Sequence, residues 1–150
     1  MITTAEKVLF LKGIELFSAI PSADLVGVAL VTEEVEHRAG EVLMREGEIA
    51  NTLYLILEGT VIVTKGERVL AELGEREVVG EMALLDAAPR SATVSAATDV
   101  STLELHRDPF EQIMSDRPEI GRGIIKVLTQ RLRTSSALTP EAVERRSTVG

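Results

Sequence analysis

A mainly β domain of the sandwich or barrel type, flanked by helices at both ends, is the fold class this sequence predicts, and three observations carry it. From Ala39 to Leu73 the chain runs as short apolar segments rich in β-branched residues, broken by Gly40, Gly47, Gly59 and Gly66. That is the rhythm of short strands joined by regular turns. Before Glu34 and after Asp108 the pattern changes to helical spacing with recognisable start signals. At 150 residues without a cysteine, the chain suits one domain whose core closes without covalent staples.

Taken in order, Thr3-x-x-Glu6 is a capping box that opens a helix through Leu11, with Gly13 as its stop. Pro21-Ser22 starts a second helix over Ala23 to about Val31. Lys65-Gly66 reads as the tip of a hairpin joining Thr60–Thr64 to Arg68–Leu73. Glu81 to Leu85 is a short run of helix formers, and Ser91–Ala97 and Val100–His106 are two further strands joined by Thr98-Asp99. In the first of these, Ala92, Val94 and Ala96 alternate with Ser91, Thr93 and Ser95, as a half-buried strand requires. Asp108-Pro109-x-Glu111 and Asp116-x-Pro118-Glu119 are helix starts with the aspartates as N-caps. The final helix, from about Arg117 to Thr134, carries Ile120, Ile124, Ile125, Leu128 and Leu132 on one side. Ser135 and Ser136 extend that face, so they look towards the strands if Leu132 does. The polar end of the chain, interrupted by Pro140, reads as a flexible tail over residues 139–150, leaving one domain over 1–138.

Composition excludes several functions. A formal charge of −8 argues against a nucleic-acid surface, which needs clustered Lys and Arg. Neither an apolar run long enough to span a bilayer nor a signal peptide is found, so the expected location is cytoplasmic, without membrane insertion. His37 and His106 lie on separate strands without His-x-His spacing, and each reads as a surface or strand-edge residue. A metal enzyme on a β scaffold would need a cluster of His with a carboxylate, and Ser91 has no nearby His to activate it. No enzyme activity is expected.

The chemistry concentrates in Val79 to Val94, VGEMALLDAAPRSATV. Gly80 lets the backbone come close to a ligand, and the first amides of the helix that follows can face an anion. Pro89 carries the chain out as a loop that returns Arg90, whose planar fork donates two parallel hydrogen bonds to phosphate oxygens. Without a ligand, the same residues allow a Glu81–Arg90 ion pair that merely holds a loop.

This stretch resembles the phosphate-binding cassette of the cyclic-nucleotide-binding domain family, in its Gly-Glu, Ala-Leu and Pro-Arg-Ser-Ala-Thr-Val at the family's spacing. G-E-x-x-x-x-E-G-E followed by L-Y-x-I-x-x-G resembles the first half of the family's β-roll, and the likeness covers roughly Leu9 to Ser136. It implies an eight-stranded antiparallel β-roll, jelly-roll-like, with N-terminal helices, a short cassette helix and two C-terminal helices. It also implies roles. Glu81 accepts from the ribose 2′-hydroxyl, Gly80 and the amides around Met82 and Ala83 approach the ribose phosphate, and Arg90 and Ser91 hold the cyclic phosphate. Ser135 and Ser136 align with hydroxyl residues that contact the adenine in catabolite activators, which favours cyclic AMP over cyclic GMP. Two departures stand out: Arg76 where the family commonly has Gly, and Val79 where it often has an aromatic residue. No DNA-binding or other effector domain is expected in the short remainder. The implied role is a receiver that needs no cofactor beyond its nucleotide and signals to an unknown effector protein, with a homodimer through the final helix as in family members. The alternative left open is an interaction module that keeps the fold and binds no nucleotide.

Overall fold

The computed structural model describes residues 1–136, the last by its backbone alone; the expected domain boundary at 138 and the tail over 139–150 lie outside the described residues. Eight strands form two four-stranded antiparallel sheets. They are β1 (Glu33–His37), β2 (Val42–Met44), β3 (Thr52–Glu58), β4 (Val61–Lys65), β5 (Arg68–Leu73), β6 (Val78–Val79), β7 (Thr93–Ala96) and β8 (Val100–His106). One sheet runs β1-β8-β3-β6 and the other β2-β7-β4-β5. Between them, Met44, Ile56, Val61, Val94, Ala96 and Val100 form the inner core.

The helices cover the outer face of the first sheet. They are α1 (Thr4–Lys12), α2 (Ser22–Leu30), α3 (Arg107–Asp116) and α4 (Pro118–Ser136). Leu53, Leu55, Leu103 and Leu105 turn outward from β3 and β8 and pack on Leu11, Phe17, Ile20, Leu25, Phe110 and Ile120. Both faces of β3 and β8 are therefore largely buried; β3 reads as a nearly continuous apolar run, whereas β8 carries the buried polar side chains of Thr102 and Glu104 on the face opposite Leu103 and Leu105. A 3-10 turn over Glu15–Phe17, not foreseen from sequence, brings Phe17 onto Phe110 with ring centroids 5.7 Å apart.

The capping box forms as expected: Thr3 accepts from the Glu6 amide at 3.1 Å and Glu6 accepts from the Thr3 amide at 3.1 Å. The aspartates do not cap. Strand β8 passes straight into α3, whose N-cap is His106, so Asp108 falls inside the first turn; Asp116 is the last residue of α3. Arg76 keeps the turn that its family position suggests, with φ 69°. Its amide donates to Ile56 O at 2.7 Å, and its guanidinium lies over the Phe10 ring, 5.6 Å from the centroid. A left-handed non-glycine residue costs about 1–2 kcal/mol, and the ring contact offsets roughly 0.5–1 kcal/mol of it.

Helix α4 buries Ile120, Ile124 and Val127, while Ile125 and Leu132 remain exposed. The apolar residues of this helix thus occupy two adjacent stripes, and the domain's own core uses only the first. Leu132 does not face the strands, which removes the premise that would have aimed Ser135 at them. Gly123 lies on the buried side: a Cβ there would stand 2.9 Å from Ile20 Cγ1 and 3.0 Å from the Ala19 carbonyl. At Gly121 the nearest contact would be 3.8 Å, to Met114. The same substitution should therefore have opposite signs two residues apart. Gly121→Ala is expected to stabilise by up to about 1 kcal/mol through helix propensity. Gly123→Ala should destabilise by about 1 kcal/mol or more, because overpacking outweighs propensity. Urea unfolding followed by circular dichroism reads both.

Candidate functional site

The cassette begins where β6 ends. Gly80 adopts φ 79°, and Glu81–Leu84 form one 3-10 turn, shorter than the expected helix through Leu85. The first N–H to find an acceptor in this turn is that of Ala83, which donates to Gly80 O at 3.0 Å. The amides of Glu81 and Met82 precede any carbonyl the turn can offer them.

The return loop is pinned to the segment before β3. Ile49 and Pro89 form an isolated antiparallel bridge. Around it, the Ala50 amide donates to Ala88 O at 2.8 Å, the Arg90 amide to Glu48 O at 2.7 Å and the Gly47 amide to Arg90 O at 2.8 Å. Ser91 and Ala92 stay outside β7, which begins at Thr93 rather than Ser91. With its backbone held on both sides, Arg90 extends across the first residue of β3. Nη2 donates to Thr52 O at 2.6 Å. A Cβ on Gly80 would stand 2.3 Å from Arg90 Nη1 and 2.6 Å from Thr52 O, so only glycine leaves room for the guanidinium.

Arg90 has no ion pair with any carboxylate among the described residues. It is half-buried, and desolvation lowers its pKa. Arginine stays charged nonetheless, so a partly dehydrated cation faces the adjoining cavity. That cavity measures about 290 Å³ and is lined by Gly80, Met82, Ala83, Arg90 and Ser91, with Met44, Val63, Val79 and Val94 among its apolar walls. It lies close to the usual lower bound for small-molecule sites, about 300 Å³. A cleft of about 620 Å³ between α1 and Arg76 is larger, but its arginine is turned onto Phe10 and no group of donors converges there.

The glutamate of the cassette takes a different partner from the one its neighbour offers. Glu81 Oε1 accepts from Arg131 Nη2 at 2.5 Å, and Arg131 Nε donates to Glu15 Oε1 at 2.6 Å. The Glu81–Arg90 ion pair does not form. Donating hydrogen bonds to Glu81 and then Glu15 raises the Arg131 pKa, and its Nη1 also approaches Met82 Sδ at 3.9 Å. Arg131 thereby joins α4, the Glu15–Phe17 turn and the cassette, a role the sequence reading missed. One signal was available: Arg131 follows Ile120, Ile124 and Val127 at helical spacing, so it belongs to the buried stripe.

Ser135 lines a second groove, of about 590 Å³, with Glu15, Ser18, Val127 and Arg131, and not the cassette cavity. The side chain of Ser136 lies outside the described residues. His37, expected at a surface or strand edge, ends the edge strand β1 but is largely covered. Its Nδ1 meets Glu41, and its Nε2 meets Glu104 Oε2 at 2.9 Å. Among the described residues no helix is long and apolar enough to cross a membrane.

Comparison with known proteins agrees with this geometry. The family model described as the cyclic nucleotide-binding domain matches residues 34–117. The chain is 38% identical over 128 residues to a cyclic nucleotide-gated potassium channel of Rhizobium etli, a match covering 81% of this chain and 36% of the channel. It is 26% identical over 126 residues to a CRP-like cAMP-activated global transcriptional regulator of Mycobacterium tuberculosis, covering 81% of this chain and 56% of the regulator. Among solved structures, the N-terminal domain of a transcriptional regulator from Streptomyces coelicolor superposes with a TM-score of 0.77 at 29% identity, covering 87% of this chain and 96% of that one. The chain belongs to the cyclic nucleotide-binding domain family, a regulatory binding domain rather than a catalytic one. It spans about a third to a half of the length of these curated relatives.

The double ion pair of Arg131 should hold the last turns of α4 in place. Replacing Arg131 by Gln is expected to speed amide hydrogen exchange over residues 127–135 while lowering global stability by about 1 kcal/mol or less, since the pair is partly solvated. Unchanged exchange there would remove this anchoring role.

Proposed function

We propose that the cassette cavity binds the ribose and cyclic phosphate of a cyclic nucleotide, cyclic AMP in the first instance, and that the domain serves as a receiver for it. One observation carries this reading: the half-buried guanidinium of Arg90 faces the cavity without an ion pair among the described residues, although Asp86 also lines that cavity, and it stands beside Gly80 and the amides that open the 3-10 turn. A dehydrated cation and amides without intrahelical acceptors on one wall are the complement of a phosphodiester anion. The Glu81–Arg90 pair on which the interaction-module reading drew is absent, and Glu81 pairs with Arg131 instead.

In this reading Arg90 pairs with the exocyclic oxygens of the cyclic phosphate, Ser91 adds a hydroxyl, and the Glu81 and Met82 amides close on the anion. Glu81 accepts from the ribose 2′-hydroxyl. A carboxylate has about four acceptor positions, so its bond to Arg131 leaves room for that hydrogen bond. Ser135 and Ser136 reach the base only if the last turns of α4 move towards the cassette. Arg131, already in contact with Glu81, links occupancy of the cavity to the position of that helix, which an effector protein would read.

Loss of the positive partner of a buried charge pair costs about 2–5 kcal/mol. Arg90→Ala is therefore expected to weaken cyclic AMP binding by about thirtyfold or more, measured by isothermal titration calorimetry. An unchanged affinity would overturn the assignment of the cavity.

A further inference from the structure

Arg90 is held from behind by a run of hydrogen bonds that never reaches the cavity. Its Nη2 rests on the carbonyl of Thr52, which is 4% exposed. The Thr52 hydroxyl donates to Asn51 Oδ1 at 3.0 Å and lies 2.9 Å from Nδ1 of His106, its direct partner across the β3–β8 ladder. Because that hydroxyl gives its one hydrogen to Asn51, it accepts from His106, which fixes the proton on Nδ1. The Arg107 amide donates to Asn51 O at 2.8 Å, tying the residue before β3 to the first residue of α3. On the other side of the ring, Nε2 faces Glu33 Oε2 at 3.8 Å.

The fit around the guanidinium makes this support matter. With Gly80 Cα on one side and Thr52 O on the other, Arg90 has no slack in which to compensate for a shift of the carbonyl. An ion pair with a phosphate depends on the direction of the fork as well as on its charge.

We propose that Thr52 and His106 are positioning residues for Arg90: they fix the carbonyl on which the guanidinium rests and so set its aim at the bound anion without touching the ligand. The inference rests on the cyclic-nucleotide reading of the cavity. Neither residue lines that cavity.

Two measurements on the full chain test it. Thr52→Val keeps the shape and the strand propensity but loses the hydroxyl, whereas Thr52→Ser keeps the hydroxyl. By calorimetry with cyclic AMP, Thr52→Val should bind about fivefold more weakly and Thr52→Ser within about twofold of the parent. In an Arg90→Ala background, Thr52→Val should cause no further loss, because its effect runs through the missing guanidinium. In the ligand-free protein, nitrogen-15 relaxation should show Arg90 Nε ordered in the parent and in Thr52→Ser, and mobile in Thr52→Val. Equal affinity of Thr52→Val and the parent, a loss independent of Arg90, or an equally ordered Nε would each overturn the proposal. If Arg90→Ala alone left affinity unchanged, or the parent bound no cyclic nucleotide, the reading of the cavity would have failed instead. The relaxation experiment would then still decide whether Thr52 fixes Arg90.

Discussion

A guanidinium that is half out of water without a carboxylate to neutralise it is the constraint from which the rest of this site follows. Burying a charge unpaired is costly, so a fold that does it must supply hydrogen bonds and exact geometry in place of a counter-ion. Here the Thr52 carbonyl accepts one donor, the absence of a side chain at Gly80 leaves room, and the Ile49–Pro89 bridge holds the backbone. Arg90 also lines the cavity. On the proposed reading, an anion that brings its own oxygens would complete the set and an apolar guest would not.

The contrast with Arg131 sharpens this point. Arg90 belongs to the cassette and Arg131 stands beside it, yet Arg131 has two carboxylates, Glu15 and Glu81, and its charge is satisfied within the protein. Its work is mechanical, tying α4 and the N-terminal turn to the loop. One cation is thus satisfied by carboxylates and the other is held by a backbone carbonyl. Glu81 belongs to both arrangements, since it anchors Arg131 and is the residue proposed to accept from the ribose. Any ligand that draws on Glu81 is therefore coupled to α4 through a single side chain.

Much of this was legible in the sequence because the cassette is contiguous. Gly80, Glu81, Pro89 and Arg90 act within eleven positions, and their spacing alone specifies a close approach, a turn and a returning cation. Strand alternation at Val94 and Ala96 and the capping box at Thr3 were local in the same way. What sequence concealed was long-range. Arg131 meets partners 50 and 116 residues away, and nothing local marks it except its place on the buried stripe of α4. Leu132 misled because two neighbouring stripes of that helix are apolar, and periodicity cannot say which one a sheet will cover. Asp108 and Asp116 carry good capping chemistry, but β8 runs directly into α3 and leaves no turn for the first of them to cap.

The claim at the centre is that the cavity is built for an anion through Arg90. Calorimetric titration of the unaltered protein with cyclic AMP and, separately, with adenosine tests it most directly, because the two ligands share base and ribose and differ in the cyclic phosphate. The account requires saturable binding of cyclic AMP and at least a hundredfold weaker binding of adenosine, the loss expected when about 3 kcal/mol of charge-assisted contact is absent. Adenosine binding as tightly as cyclic AMP would contradict it.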